Sequence, residues 1–350
     1  LSEQFTPPGA GILIPVALLV IAVFLLWSLS RSKLDKRAFY AVFLLLLFGD
    51  LAWNSQYFDR SYERSGIYPR TEITDFLKQL PPGRVLPEPS DLDLNRKSAG
   101  VGETSKIISP PNTLLPYQIS TITGKDQLFP KSYQHYARLV DPQPNMSHVV
   151  FDSDHSPFFD LLNVRYVITH ESAPPPAGAR LLKSAEGVSV YENDAAMPRA
   201  FIAPRITIAE NQETAFRMMK AANFDPKKTV VLVEREPSAG LRSESGDGTA
   251  QVVESKRNSV TIDTDSATGG VLVLSDNYYP GWTAYVDERK TGIYRADLTM
   301  RAVEIPAGRH KVRFVFAPQS LRVAMYVSGF GVVVVFLVFA VGGMRGSRQK

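Results

Sequence analysis

The string Leu274–Trp282, LSDNYYPGW, gathers the side chains of this chain best suited to handling a sugar. Tyr278, Tyr279 and Trp282 offer aromatic faces that stack on sugar rings, and Asp276 and Asn277 offer groups that hydrogen-bond hydroxyls, all around a Pro280-Gly281 turn. The same residues suit a structural task, in which Trp282 and one tyrosine fill a β-core while Asp276 and Asn277 bond local backbone. His148, Asp152, Asp154 and His155 are of metal-ligating types, yet they match no defined ligand spacing, and His155-Ser156-Pro157 also reads as the start of a helix. Asp263 and Asp265, ahead of Gly269-Gly270, fit a hairpin tip as well as a calcium loop. No metal site is assigned. Asp50 is the one acid inside an apolar run, either lining a membrane cavity or sitting at the interface near the end of its run. The sequence has no G-x-S-x-G elbow, phosphate-cradling glycine loop, HExxH helix or EF-hand loop, so no catalytic residue and no cofactor is assigned within it.

The elements that position these residues begin with three apolar runs, Gly11–Ser30, Ala38–Gly49 (continuing past Asp50 to Trp53) and Val323–Met344. A spanning helix needs roughly 20 apolar residues to cross a hydrocarbon core about 30 Å thick. The first and third runs meet that length, and Trp53, Tyr57 and Phe58 extend the second into an aromatic interface, so three transmembrane helices are expected. Arg31, Lys33, Lys36 and Arg37 lie between runs one and two, and Arg345, Arg348 and Lys350 follow run three. Basic flanks stay in the cytoplasm. Both clusters mark the same side, which leaves residues 54–322 outside. That segment carries as many acids as bases, so the net charge of +4 comes from the flanks. A basic chain of this kind reads as a membrane protein with the lipid bilayer as partner and no nucleic acid.

Run one lacks a basic stretch before it, which argues against a signal peptide. With an outside start at Leu1, the chain reads as the C-terminal part of a longer multi-pass protein. Cysteine is absent, which excludes disulfides and thiolate metal sites.

The expected organisation is an outside end at 1–10, two membrane helices at 11–58 with a cytoplasmic loop at 31–37, and an extracytoplasmic α+β module at 59–235. A linker at 236–248, a β-sandwich at 249–318, a third membrane helix at 323–344 and a cytoplasmic tail at 345–350 complete it. In the α/β-type module, helical spacing marks Thr71–Leu80, with Thr71 as N-cap and Pro81 as stop, together with Pro130–Val140, Ser156–Leu162 and Glu213–Ala222. Strand signals mark Arg165–Thr169, Thr229–Glu234, and a hairpin of Leu181–Lys183 and Val188–Tyr191 around Glu186-Gly187. After the linker, seven short stretches predict a seven-stranded sandwich: Gln251–Glu254, Ser259–Thr264, Gly270–Ser275, Trp282–Val286, Gly292–Arg295, Thr299–Ile305 and Lys311–Phe316.

The strings VLVLSDNYYPGWTAYVD (Val271–Asp287) and YRADLTMRAVEIPAGRHKVRFVFAP (Tyr294–Pro318), followed by an apolar terminal run, resemble the C-terminal signature of YfhO-like bacterial membrane proteins. PPNTLLPYQI (Pro110–Ile119), GKDQLFPKSYQHY (Gly124–Tyr136), LLNVRYVIT (Leu161–Thr169) and AMPRAFI (Ala196–Ile202) follow the order of that family. The resemblance implies a GT-C-type glycosyltransferase of the bacterial plasma membrane. Its donor would be a polyprenyl-phosphate sugar, its acceptor a cell-envelope glycopolymer, and its catalytic acid would lie in an early outside loop upstream of this chain. The outside modules would then position the acceptor, with Tyr278, Tyr279 and Trp282 in contact and Arg295 and Arg301 pairing an anionic polymer. Two readings without catalysis stand beside it: a membrane-anchored carbohydrate-binding module and an envelope-assembly module.

Overall fold

Residues 270–275 read Gly-Val-Leu-Val-Leu-Ser, an unbroken apolar run rather than an alternating one. Such a run fits a strand covered on both faces. The computed structural model describes residues 20–21, 23–24, 27–28, 36–58, 70–87, 112–124, 130–141, 156–233 and 248–347. In it this run is the inner strand of a three-layered arrangement. Residues 1–69 and 70–350 form two separate units.

The first unit contains helix α1 (Lys36–Phe58), on which Tyr40, Phe43, Leu44, Leu45, Leu47, Phe48 and Leu51 are exposed. Asp50 lies on α1.

The second unit opens with α2 (Glu72–Gln79). Thr71 caps it by accepting from the Thr74 backbone N–H, and the Thr74 hydroxyl accepts from the Thr71 N–H in return, two mutual bonds of 3.1 Å. Strand β1 (Arg84–Pro87) runs parallel to β2 (Val164–His170), and β3 (Arg180–Ala185) and β4 (Val188–Glu192) pair antiparallel. The order β1-β2-β4-β3 makes a four-stranded sheet. Its hairpin turns at Glu186 and Gly187, both with positive φ. Helices α3 (Lys131–Val140) and α4 (Pro157–Leu161) begin where the prolines predict, with Pro130 and Ser156 as caps.

Next come β5 (Ala200–Ile202), β6 (Ile206–Ala209), α5 (Gln212–Met219) and β7 (Val230–Val233), in which β6 and β7 are parallel across α5. The remaining strands are β8 (Gly248–Lys256), β9 (Ser259–Ser266), β10 (Gly270–Asn277), β11 (Trp282–Val286), β12 (Arg289–Thr291), β13 (Tyr294–Ala296), β14 (Met300–Ile305) and β15 (Gly308–Phe316). They divide between two sheets, β5-β10-β14-β13-β7-β6 and β12-β11-β15-β9-β8.

The face-to-face alternation of β10 explains the layers. Leu272 and Leu274 join Ile262, Val303, Val312 and Phe314 in the core between the two sheets. Val271 and Val273 point the other way, onto Tyr133 and Tyr136 of α3, Phe158 and Phe159 of α4, and Met219 of α5. A further core lies between α2 and the four-stranded sheet, built on Ile73, Leu77, Tyr166 and Ile168.

Two expectations are corrected here. The sandwich is not a seven-stranded unit of its own: residues 248–316 supply eight strands among the described residues, and their larger sheet is completed by β5, β6 and β7 from upstream of the proposed linker. Sheet edges expose unpaired backbone groups, and strand pairing across the chain removes them. Nor does the structure have three transmembrane helices: among the described residues, no helix is long and apolar enough to cross a membrane. The first run is described only at six positions between 20 and 28, and the described side chains of α1 end at Leu51. The last helix, α6 (Gln319–Ser347), follows Pro318, and its side chains are described as far as Leu337. They are exposed and apolar around its circumference, with Met325, Tyr326 and Val327, then Val332, Val333 and Val334, on consecutive positions.

One ionisable group sits inside the layer of β10. Asp297, at the turn between β13 and β14, is fully buried and accepts a 2.8 Å bond from the Val231 N–H, while its Oδ2 has no partner among the described residues. Burial pushes its carboxyl up to about 7, against the pull of the Val231 bond. An acid raised in the folded state stabilises most below its unfolded value near 3.8, and this contribution is lost as the pH rises through about 7. Urea denaturation of the solubilised chain is expected to give lower stability at about pH 8 than at about pH 5, with a slope that Asp297→Asn flattens. An unchanged slope in the variant would remove Asp297 as its source.

Candidate functional site

Three guanidinium groups converge on one carboxylate at the end of β10. The pairing of β10 with β14 shifts register between Leu274 and Asn277, a bulge that carries Ser275 and Asp276 out of the ladder. Arg301, directly opposite Leu274 on β14, places Nη2 2.8 Å from Asp276 Oδ2. Arg199, just ahead of β5, donates twice, from Nε to Oδ1 at 3.0 Å and from Nη2 to Oδ2 at 2.8 Å. Arg84, the first residue of β1, donates from Nη2 to Oδ1 at 2.6 Å.

Each arginine reaches a different part of the unit. Nη1 of Arg84 also donates to the Leu162 carbonyl behind α4 at 2.7 Å and to the Ser275 carbonyl at 2.8 Å. Nη1 of Arg199 donates to the Ser255 hydroxyl on β8 at 3.1 Å. Arg301 is buried in the sandwich core, with its guanidinium carbon 3.7 Å from the centre of the Trp282 ring and 5.3 Å from that of Phe314. Its Nε and Nη1 have no hydrogen-bond partner among the described residues. The aromatic faces take that place, an arrangement that a planar, weakly hydrated cation tolerates and an ammonium does not.

The electrostatics follow from three cations around one anion. Burial alone would raise the Asp276 carboxyl, but the hydrogen bond from Arg199 and the charges of Arg84, Arg199 and Arg301 outweigh it and hold the group at about 2. Burial pushes Arg301 down to about 10 and also lowers Arg84; Asp276 opposes both shifts, and the neighbouring arginines add to them. The cluster therefore carries an excess of positive charge behind a cleft.

That cleft, about 1200 Å³, opens between the four-stranded sheet and β8. Arg84 and Arg199 line its base, with Tyr117, Gln118 and Ser120 on one wall and Val252–Ser255 on the other. Arg165 and Glu192 lie on its rim, where Glu192 is shared between Arg165 at 2.9 Å and Arg180.

The residues singled out from the sequence are distributed as follows. Asp276 and Arg301 meet in the buried cluster, and Trp282 covers it. Asn277 accepts a 3.0 Å bond from the Thr299 hydroxyl. Tyr278 lies under the guanidinium of Arg295 at 4.8 Å, and Arg295 stands opposite Arg301 in the β13–β14 pair. Tyr279 is exposed. Asp50 belongs to the other unit. Asp263 and Asp265 face Lys311 and Arg309 across β9 and β15. His148, Asp152, Asp154 and His155 lie outside the described residues. Among the described residues, no group of three or more histidine and carboxylate side chains is placed to hold a metal. Arg84 and Arg199 were not found from the sequence. An acid ending an apolar strand does call for a cation, but nothing local says which of many arginines supplies it.

Residues 243–328 match the family described as Bacterial membrane protein YfhO. The matched stretch contains Asp276, Trp282 and Arg301 and reaches into the first turns of α6. No curated protein and no solved structure matches the chain. The family supports the YfhO-like resemblance and, at that level, a place at the membrane.

Removing Asp276 leaves three guanidinium groups facing one another in a low-dielectric site. Asp276→Asn is expected to destabilise the chain by about 3–5 kcal/mol, whereas Arg301→Met, which leaves the carboxylate two partners and fills the aromatic slot, costs less. Equal losses in denaturant titrations of the two variants would reject the role of Asp276 as the neutralising centre. Because its carboxyl is depressed in the fold, this contribution is present above about 3.8 and lost as the pH falls through about 2.

Proposed function

We propose that this YfhO-like chain is the acceptor-positioning part of a multi-pass, glycosyltransferase-like protein of the bacterial plasma membrane, with its folded unit on the extracytoplasmic side. The parent would transfer a sugar from a polyprenyl-phosphate donor to a cell-envelope glycopolymer, using a catalytic acid outside this chain. The observation that carries the reading is the cleft of about 1200 Å³ with Arg84 and Arg199 at its base. It is mixed in polarity and open at the surface, with Lys78, Arg84, Arg165 and Arg199 set against Glu192, Asp194 and Glu254 in its lining and the arginine cluster beneath, which suits a hydroxyl-rich anionic polymer laid across it better than a small apolar ligand. Holding the polymer there raises the effective concentration of its hydroxyls at the membrane face, a positioning role.

The aromatic string takes a narrower part than its composition suggests. Tyr278 and Trp282 are engaged with Arg295 and Arg301, which leaves Tyr279 as the aromatic face open to a sugar. In this reading the membrane side of the unit would be α6, whose described side chains are exposed and largely apolar. The charge asymmetry of the flanks supports the orientation.

The test uses the full-length protein in its native membrane and measures envelope-polymer glycosylation. Ser120 and Val253 are exposed on opposite walls, so Ser120→Trp with Val253→Trp fills the cleft without entering the core. At normal membrane levels this variant is expected to lose roughly tenfold in glycosylation, about 1.4 kcal/mol of positioning, and Tyr279→Ala a smaller amount. Full activity in the filled variant sinks the cleft as acceptor site. Unchanged glycosylation in a complete deletion, with paralogues absent, sinks the transferase reading and leaves the anchored carbohydrate-binding or assembly module.

A further inference from the structure

A second cavity, about 440 Å³, lies at the junction of the five-stranded sheet and α6. Trp282, Tyr285 and Val315 are among its lining residues, and Thr283, Lys290, Gln319 and Arg322 supply its polar groups. Both cations are exposed, neither has an ion-pair partner among the described residues, and no acid lines the cavity.

The depth of this cavity along the molecule is set by a glycine. Gly281 has φ +106°, and a Cβ there would stand 2.8 Å from Pro318 Cβ and 3.0 Å from the Phe316 ring. Only glycine permits that approach, which the 2.9 Å bond from the Ala317 N–H to the Gly281 carbonyl then secures. The Pro280-Gly281 turn thus fixes the cavity directly against the start of α6. Immediately beyond, Leu321, Val323, Met325, Tyr326 and Val327 expose apolar side chains on all sides of the helix. A helix apolar around its whole circumference belongs in an apolar phase. Aromatic and basic side chains at the first turn of such a helix lie at headgroup depth.

We infer that this cavity binds the phosphate-bearing headgroup of an anionic phospholipid, with Lys290 and Arg322 on the phosphate and Trp282 and Tyr285 beside the glycerol backbone. The inference does not rest on sugar transfer and stands or falls separately from it. Trp282 is held from behind by Arg301, which Asp276 fixes in turn, so this part of the lining is preset before a lipid arrives. Free phosphate would find the same two cations, but not the apolar helix that holds an acyl chain beneath them.

The test is lipid retention by the full chain in nanodiscs, read by native mass spectrometry, with neutral phosphatidylcholine alone or with added phosphatidylglycerol. The chain is expected to retain phosphatidylglycerol preferentially. Lys290→Gln with Arg322→Gln is expected to reduce that preference roughly 30-fold, about fivefold per cation. The charge-matched control, Arg257→Gln with Arg289→Gln, removes two exposed arginines that do not line the cavity. It is expected to leave the preference nearly intact. An equal loss in the control reduces the effect to general surface charge and overturns the inference. Inorganic phosphate that displaces the lipid at comparable concentration overturns the lipid as its source. Absence of any preference in the parent chain overturns it outright.

Discussion

The neutralisation of three arginines by Asp276 is the constraint on which the second unit turns. A buried carboxylate facing one arginine would be a local pair. Facing three, it cannot satisfy the positive charge, and each guanidinium must find further acceptors. Arg84 finds the carbonyls of Leu162 and Ser275, Arg199 finds Ser255, and Arg301 finds the faces of Trp282 and Phe314. Those secondary partners belong to the four-stranded sheet's surroundings, to the edge of the five-stranded sheet and to the sandwich core. One carboxylate thus ties together layers whose apolar contacts alone would leave them free to slide, because a directional bond fixes register where hydrophobic burial does not. Buried charge of this kind is weak evidence for stability and better evidence for specificity of arrangement.

The same cluster explains why the aromatic turn is rigid. Trp282 stacks on Arg301 on one side and tilts against Phe316 at 5.3 Å between ring centres. Its neighbour Gly281 admits Pro318 where any side chain would collide. Asp276, Arg301, Trp282 and Gly281 therefore form a continuous path from the bulge of β10 to the first turn of α6. What the composition of LSDNYYPGW suggests as a sugar platform is spent largely on that path, and the aromatic surface left for recognition is Tyr279.

The local elements were legible in the sequence. Thr71, Pro130 and Ser156 start their helices where capping chemistry places them, and the hairpin turns at Glu186-Gly187, where Gly187 takes the positive φ that glycine favours. The sheet partnership was not legible from alternation alone. The run VVLV of β7 and the run VLVL of β10 each signal a strand covered on both faces, and a strand so covered needs a second layer beyond the sandwich. That layer comes from α3, α4 and α5, far upstream, and no local pattern names it. Likewise, Asp276 and Arg301 were visible as candidates, while Arg84 and Arg199 acquire their meaning only when distant segments meet. The apolar run of α6 was visible as well, but an apolar run in sequence is not a span, and among the described residues no helix is long and apolar enough to cross a membrane.

Charge placement separates the two ends of the second unit. At the cleft, Arg84 and Arg199 are part-buried and partly neutralised by Asp276, so an anion meets a positive potential without a bare charge to collapse onto. At the α6 junction, Lys290 and Arg322 are exposed and unneutralised, where high dielectric and salt weaken each to a modest attraction. A part-buried, preset charge favours one geometry of a bound polymer, and an exposed pair favours proximity to any anionic surface. The fold places the first kind at its cleft and the second kind where the apolar helix begins, with the Arg301–Trp282 stack between them. A shift of the start of α6 relative to the sheet would have to move Pro318 against Gly281, so the close approach at that glycine fixes where the helix leaves the sandwich.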